Sequence, residues 1–404
     1  MTNSPVTASG SASGWTCEIT VHNDDEDGAV GYSITYSDAN GNAGTTVTTS
    51  DAGITIDNTH PTLSGVTLSD NAGGLDVNNG DTVTLVFTSS TDVTTAPTCA
   101  FTDGNNDAMD AGTSTATGDA SGWTCTVAVG DNDASGSLGY TISFGDANGN
   151  AGVDVSSGSG SVTIDNTHPT LSGVTLSDNA GGLDVNDGDT VTLVFTSSTD
   201  VTTAPTCAFT DGNNDAMDAG TSTATGDASG WTCTVAVGDN DASGSLGYTI
   251  SFSDANGNAG AGVSSGSGSV TIDNTHPTLS TPSVSTSGTG DASDADVITM
   301  TFTSSSDVTT APSCAFTDGS GAMANSPRTA TGSASGWTCE ITVANPDDDG
   351  AVGYSITFSD VNGNAGTAVT STDAGITIDN THPTLSGVTL SDNAGGLDLS
   401  LIHI

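Results

Sequence analysis

The sequence predicts an all-β chain of tandem Greek-key sandwich domains, each built from about seven short strands. Three observations carry that expectation. Trp15, Trp123, Trp231 and Trp337 recur at spacings of 108, 108 and 106 residues, and His60, His168, His276 and His382 repeat the same spacings. Helical periodicity is absent, whereas alternating apolar runs recur about every 10 to 16 residues between clusters of Gly, Asn, Asp and Ser. A unit of roughly 100 residues can bury its own modest core, so the repeats are expected as beads on a string and not as turns of a solenoid. The chain then divides into the C-terminal part of a repeat at 1–58, three repeats at 59–166, 167–274 and 275–380, and the start of another at 381–398.

The elements follow in order from the repeat 59–166. The run 61–70, PTLSGVTLSD, is the first strand, with Gly65 marking a bulge. The second, DTVTLVF at 81–87, turns Val83, Leu85 and Phe87 to one face. TCAF at 98–101 is the third, and the weak STAT run at 113–116 is the fourth. WTCTVAV at 123–129 is the fifth, with Trp123, Cys125, Val127 and Val129 inward. LGYTISF at 138–144 carries Leu138, Tyr140, Ile142 and Phe144 inward, and SVTID at 161–165 closes the unit. An up-and-down barrel is the alternative architecture. Residues 169–252 match 61–144 except that Asp187 replaces Asn79, the mark of a recent duplication.

Seven cysteines follow the repeat. They pair as Cys99 with Cys125, Cys207 with Cys233 and Cys314 with Cys339, leaving Cys17 over. Regular pairing predicts disulfides and an oxidising compartment. Zinc would need a second Cys or His pair in each repeat. If every connection reverses direction, the third and fifth strands leave the same pole, so the two cysteines of a repeat sit at one height. Closing that loop stabilises a domain by roughly 3 to 4 kcal/mol in the chain-entropy model.

One arginine and no lysine stand against 48 acidic residues, a formal net charge of −47, which disfavours nucleic acid and anionic membranes as partners. Only Glu18, Glu26 and Glu340 are Glu; the rest are Asp set among Gly, Asn and Ser in loops. Two readings of those aspartates stand side by side: turn formers that bond their own backbone, and ligands for extracellular calcium. A halophilic surface would carry more Glu.

The opening MTNSPVTASGSASGWTCEITV matches the interior stretch that begins at Met323, so Met1 is expected to lie in mid-repeat and the partner of Cys17 upstream of it. Leu399–Ile404 break the repeat after SDNAGGLD and are expected to be the translation of a sequencing-library adapter, not native sequence. A targeting signal, anchor or terminal binding domain would lie beyond these ends. Within the chain no apolar run is long enough to span a membrane.

The stretch YTISFSDANGNAG and the following VTIDNTHPTLS resemble the last strands and linker of bacterial immunoglobulin-like repeats from large surface adhesins and biofilm proteins. The matching positions are Tyr248, Asp254, Gly257 and Asn258, then Asp273, Thr275 and Pro277, and the match recurs in four copies over about a third of each repeat. The paired cysteines depart from that family, whose members mostly lack them. The resemblance implies calcium at the junctions, with the loop aspartates Asp38, Asp146, Asp254 and Asp360 and the linker aspartates Asp57, Asp165, Asp273 and Asp379 as expected ligands.

Topology leads to the same place. Alternate loops gather at the downstream pole of one repeat and the upstream pole of the next. The first offers Asp131 and Asp133, or Asp239 and Asp241, with Asp70 and Asp76 as further candidates. The second offers Asp200, Asp254, Asn256 and Asn258. Hydrogen-bonded Asx turns are the competing account. The run DGNNDAMD at 103–110 spaces Asp103, Asn105, Asp107 and Asp110 like a calcium loop but lacks the closing Glu, and it is missing from the third repeat.

The linker histidine recurs unchanged in NTHPT with no nucleophile beside it, which favours linker packing over catalysis. No phosphate-binding loop, CxxC motif or N-x-S/T sequon is present. The expectation is a non-enzymatic extracellular or cell-surface stalk of an adhesin-like protein whose first partners are its own neighbouring repeats. Calcium should stiffen it, because each close carboxylate pair repels by about 1 kcal/mol in water until a cation is shared. Multivalent glycan binding by the repeats and an accessory role in a large secreted enzyme are the rival readings.

Overall fold

In the computed structural model, which describes residues 1–74 and 76–389, the repeat 59–166 holds nine strands. They are β1 (Leu63–Asp70), β2 (Thr82–Ser89), β3 (Thr98–Thr102), β4 (Ala108–Thr115), β5 (Thr117–Asp119), β6 (Gly122–Ala128), β7 (Gly136–Ser137), β8 (Gly139–Ser143) and β9 (Thr163–Ile164). One sheet has the order β5-β6-β2-β1 and the facing sheet β4-β3-β8, with β7 and β9 as a separate pair. Val155 bridges Ile142 on the open side of β8 and extends the second sheet. The chain crosses between sheets after β2, and β6 returns to lie beside β2, which makes the Greek key of a β-sandwich.

Alternation explains the core. On β2 and β6 the cross-strand pairs Phe87–Trp123, Leu85–Cys125 and Val83–Val127 all point inward and are buried, and Tyr140–Phe101 and Ile142–Cys99 answer them from the second sheet. The inward faces read from the sequence are therefore the observed ones. Three apolar clusters result, spanning Leu68–Ile164, Leu176–Ile272 and Ala292–Ile378, with no residue in common. Cys99–Cys125, Cys207–Cys233 and Cys314–Cys339 are bonded, each joining the two sheets through the middle of its own cluster. The bulge on β1 falls where expected: the register with β2 shifts between Ser64 and Thr67, and Gly65 takes a φ of 62°.

Two details differ from the sequence reading. The weak fourth strand is really two. β4 runs from Ala108 and pairs with β3, then the buried Ala116 carries the chain across, and β5 pairs with β6. The last strand is also shorter than 161–165, with only Thr163–Ile164 in a ladder, while parallel bridges tie Ser159 to Thr67 and Ile164 to Val77. In segment 1–58 the strands are two or three residues long, and Trp15, Tyr32, Ile34 and Tyr36 are exposed, as is the unpaired Cys17. Among the described residues no helix is long and apolar enough to cross a membrane. The divergent tail Leu399–Ile404 lies outside the described residues.

Candidate functional site

The predicted ligands fall into two groups, and the first serves each repeat internally. Asp133 uses one carboxylate oxygen to accept from the Asp110 backbone N–H at 2.8 Å and the other to accept from Gly130 at 2.7 Å. Asp241 does the same with Asp218 and Gly238. Asp103, the head of the DGNNDAMD run, accepts from the backbone N–H groups of Asn105, Asp107 and Ala134. It is an Asx staple that closes the downstream pole, and Asp318 closes the third repeat in the same way.

These staples are expected to make the fold acid-sensitive. The Ala134 N–H, with those of Asn105 and Asp107, holds the Asp103 carboxyl below its ordinary value against an opposing contribution from burial, and Ala242 does so for Asp211. A carboxyl depressed in the folded state contributes stability that is fully present above its unfolded value and lost as pH falls through the folded one. Melting temperature is therefore expected to be flat between about pH 7 and 5 and to fall below about pH 4. Thermal melts across that range check it; an unchanged midpoint at about pH 3 would mean that the staples contribute nothing.

The second group meets at the junctions. The linker Asp57 accepts from the Asn148 side-chain amide at 2.5 Å, and its backbone carbonyl accepts from the Asn150 amide at 2.8 Å. Asp165 receives Asn256 at 2.6 Å and Asn258 at 2.7 Å, and Asp273 receives Asn362 at 2.7 Å and Asn364 at 2.6 Å. Within each loop the aspartate faces inward. Asp254 accepts from the backbone N–H of Asn256 and Asn258 and from the Asn258 side-chain amide, Asp38 and Asp146 are bound likewise, and Asp360 accepts from the backbone N–H of Gly363 and Asn364 and from the Asn364 amide. The loop turns at a glycine, Gly257, whose φ of 98° suits no other residue well. The linker histidine adds a further contact: Nδ1 of His60, His168 and His276 donates to the carbonyls of Ala151, Ala259 and Ala365 at 2.8, 2.9 and 3.0 Å. This leaves Nε2 of His168 facing the exposed Asp131 at 3.8 Å and Nε2 of His276 facing Asp239 at 3.5 Å.

A direct bridge between repeats, unforeseen in the sequence, completes the junction. Asn78, in the turn after β1, donates its amide to the Asn256 carbonyl of the next repeat at 2.7 Å, and Asn186 donates to Asn362 at 2.8 Å. Its only sequence signal was an ordinary turn, VNNGD.

No protein-family model matches the chain, and no curated protein does. Among solved structures, the chain is similar to a tetra-tandem repeat in the extending region of a large adhesion protein, at 22% identity and a TM-score of 0.29 over 88% of this chain and 82% of that one. It is also similar to a marsupial T cell receptor, at 12% identity and a TM-score of 0.31 over 77% of this chain and 99% of that one. The full ectodomain of mouse nectin-like molecule 4 is similar at 10% identity and a TM-score of 0.24, with 77% and 99% covered. Each repeat is an immunoglobulin-like domain. The assignment rests on the chain's own strand order, two facing antiparallel sheets in Greek-key connection.

Calcium requires six to eight oxygens turned toward one point. At the junctions of these immunoglobulin-like repeats the carboxylate oxygens are turned toward N–H groups, and the amides of Asn256 and Asn258, expected to supply oxygens, present hydrogens instead. Asp379 accepts from the Thr381 N–H. Asp200, like Asp92 and Asp307, has one buried carboxylate oxygen without a hydrogen-bond partner, but that is a single ligand per repeat. Among the described residues no three acidic, His or Cys side chains converge on a common point. In this arrangement both oxygens of Asp165 and those of Asp254 already accept hydrogens from N–H donors.

Proposed function

We propose that this chain is an extension segment of an extracellular or cell-surface adhesin-like protein, a stalk whose repeats hold a fixed angle to one another. The observation that supports it most is the recurrence of one hydrogen-bond set at three successive junctions, Asp57 with Asn148 and Asn150, Asp165 with Asn256 and Asn258, and Asp273 with Asn362 and Asn364. A flexible tether would not need to repeat such a set, and a binding module would vary its exposed loops or display aromatic side chains on them. Here Trp123, Trp231 and Trp337 are buried. The intra-repeat disulfides suit an oxidising exterior, and a net charge of −47 keeps parallel stalks apart.

Inserting a further copy of 169–276 is the direct test. Particles imaged by electron microscopy should lengthen by one constant step per copy, with affinity for a glycan array unchanged. Avidity that rises with copy number at constant particle length would point to multivalent binding instead.

A further inference from the structure

The geometry points to an amide latch in place of a cation at each junction: Asn148, Asn256 and Asn362 are the positioning residues that fix the angle between repeats without metal. This rests on the stalk reading and concerns what sets its stiffness. The linker of one repeat and the loop of the next both carry carboxylates, Asp165 and Asp254 at the second junction, and two anionic surfaces need something between them. Here that something is neutral. The Asn258 amide spends both hydrogens, one on the Asp165 carbonyl and one on the Asp254 carboxylate. Asn256 gives one to the Asp165 carboxylate, and its own carbonyl accepts the Asn78 amide from the preceding repeat. The other oxygen of Asp165 takes the Thr167 backbone N–H. The acceptors that a calcium ion would claim are thus supplied with hydrogens from both sides of the junction. His168, donating to the Ala259 carbonyl, adds a donor of the same kind.

The same logic says what would make the junction need metal. Replacing the Asn256 amide with a carboxylate removes the donor, sets like charges in hydrogen-bond contact, and leaves oxygens that only a cation can bring together.

Small-angle scattering on the whole chain tests this, with calcium, with chelator, and with sodium at matched ionic strength. The native chain should give one maximum dimension and one narrow distance distribution in all three. The variant Asn148→Asp with Asn256→Asp and Asn362→Asp should broaden in chelator and narrow again in millimolar calcium but not in sodium. Reversing each pair, by adding Asp57→Asn, Asp165→Asn and Asp273→Asn to that variant, should restore the narrow distribution in chelator; such a rescue also shows that the repeats remain folded. A native chain that narrows only with calcium overturns the latch and leaves the stalk standing. So does a triple variant that stays narrow in chelator. A native chain that is broad in every buffer overturns both.

Discussion

Replacing Trp231 with alanine is expected to destabilise its repeat by about 3 to 5 kcal/mol. The side chain is 4% exposed, lies opposite Phe195 on the neighbouring strand, and donates its indole N–H to the Ser197 hydroxyl at 3.0 Å. The substitution removes the largest apolar group of a core with few aromatics, leaves a cavity that β-strands cannot readily close, and strands a hydroxyl acceptor. The isolated repeat from Pro169 to Asp273 is the material for the measurement, since its apolar cluster draws on nothing outside 171–272. Urea unfolding should show an unchanged slope and a lowered midpoint. A loss under about 1 kcal/mol would mean that the indole contributes little as packing, and would return weight to ligand binding.

Removing a disulfide, as Cys207→Ala with Cys233→Ala, is expected to cost that repeat roughly 3 to 4 kcal/mol. The bond closes a span of 26 residues and ties the two sheets at mid-core, so its loss frees the unfolded chain and also empties two buried positions. For a small domain whose whole stability lies near about 5 to 10 kcal/mol, either change alone takes a large share. Mass mapping without reductant should find each bridge inside one repeat. Trypsin is of no use for it, because Arg328 is the sole basic residue it can recognise. Free thiols, or bridges between repeats, would remove the argument for an oxidising compartment.

The inward faces of β2, β3, β6 and β8 were legible because a period of two survives in short, Val- and Ile-rich runs, and the cysteine pairing because one pair recurs per repeat. β4 was not, since Gly112 with a φ of 71° and the adjoining shift of register break the alternation between Ala108 and Thr113. At the junctions Asp165, Asp254, Asn256 and Asn258, which the repeat pattern had grouped, are joined by hydrogen bonds. Their roles were hidden. An asparagine is donor and acceptor at once, and composition does not record which end faces a neighbouring carboxylate. Asn78 was hidden further, because its partner lies 178 residues away.

The parallel register between β1 and the closing segment bears on what happens when a string of these repeats is pulled. Leu68 donates to Ser159 and Ser159 to Val66; Val77 donates to Thr163 and Asp165 to Val77, so the first and last stretches of a repeat run side by side in one direction. Tension entering at the upstream pole and leaving at the downstream pole loads these bonds in shear, all together, and none can be peeled off before its neighbours. Should a repeat give way, the Cys207–Cys233 bridge withholds the 26-residue span behind it, about 90 Å of slack at full extension. A disulfide set between the sheets thus acts as a stop that limits how far any one bead can lengthen before the strain passes to the next.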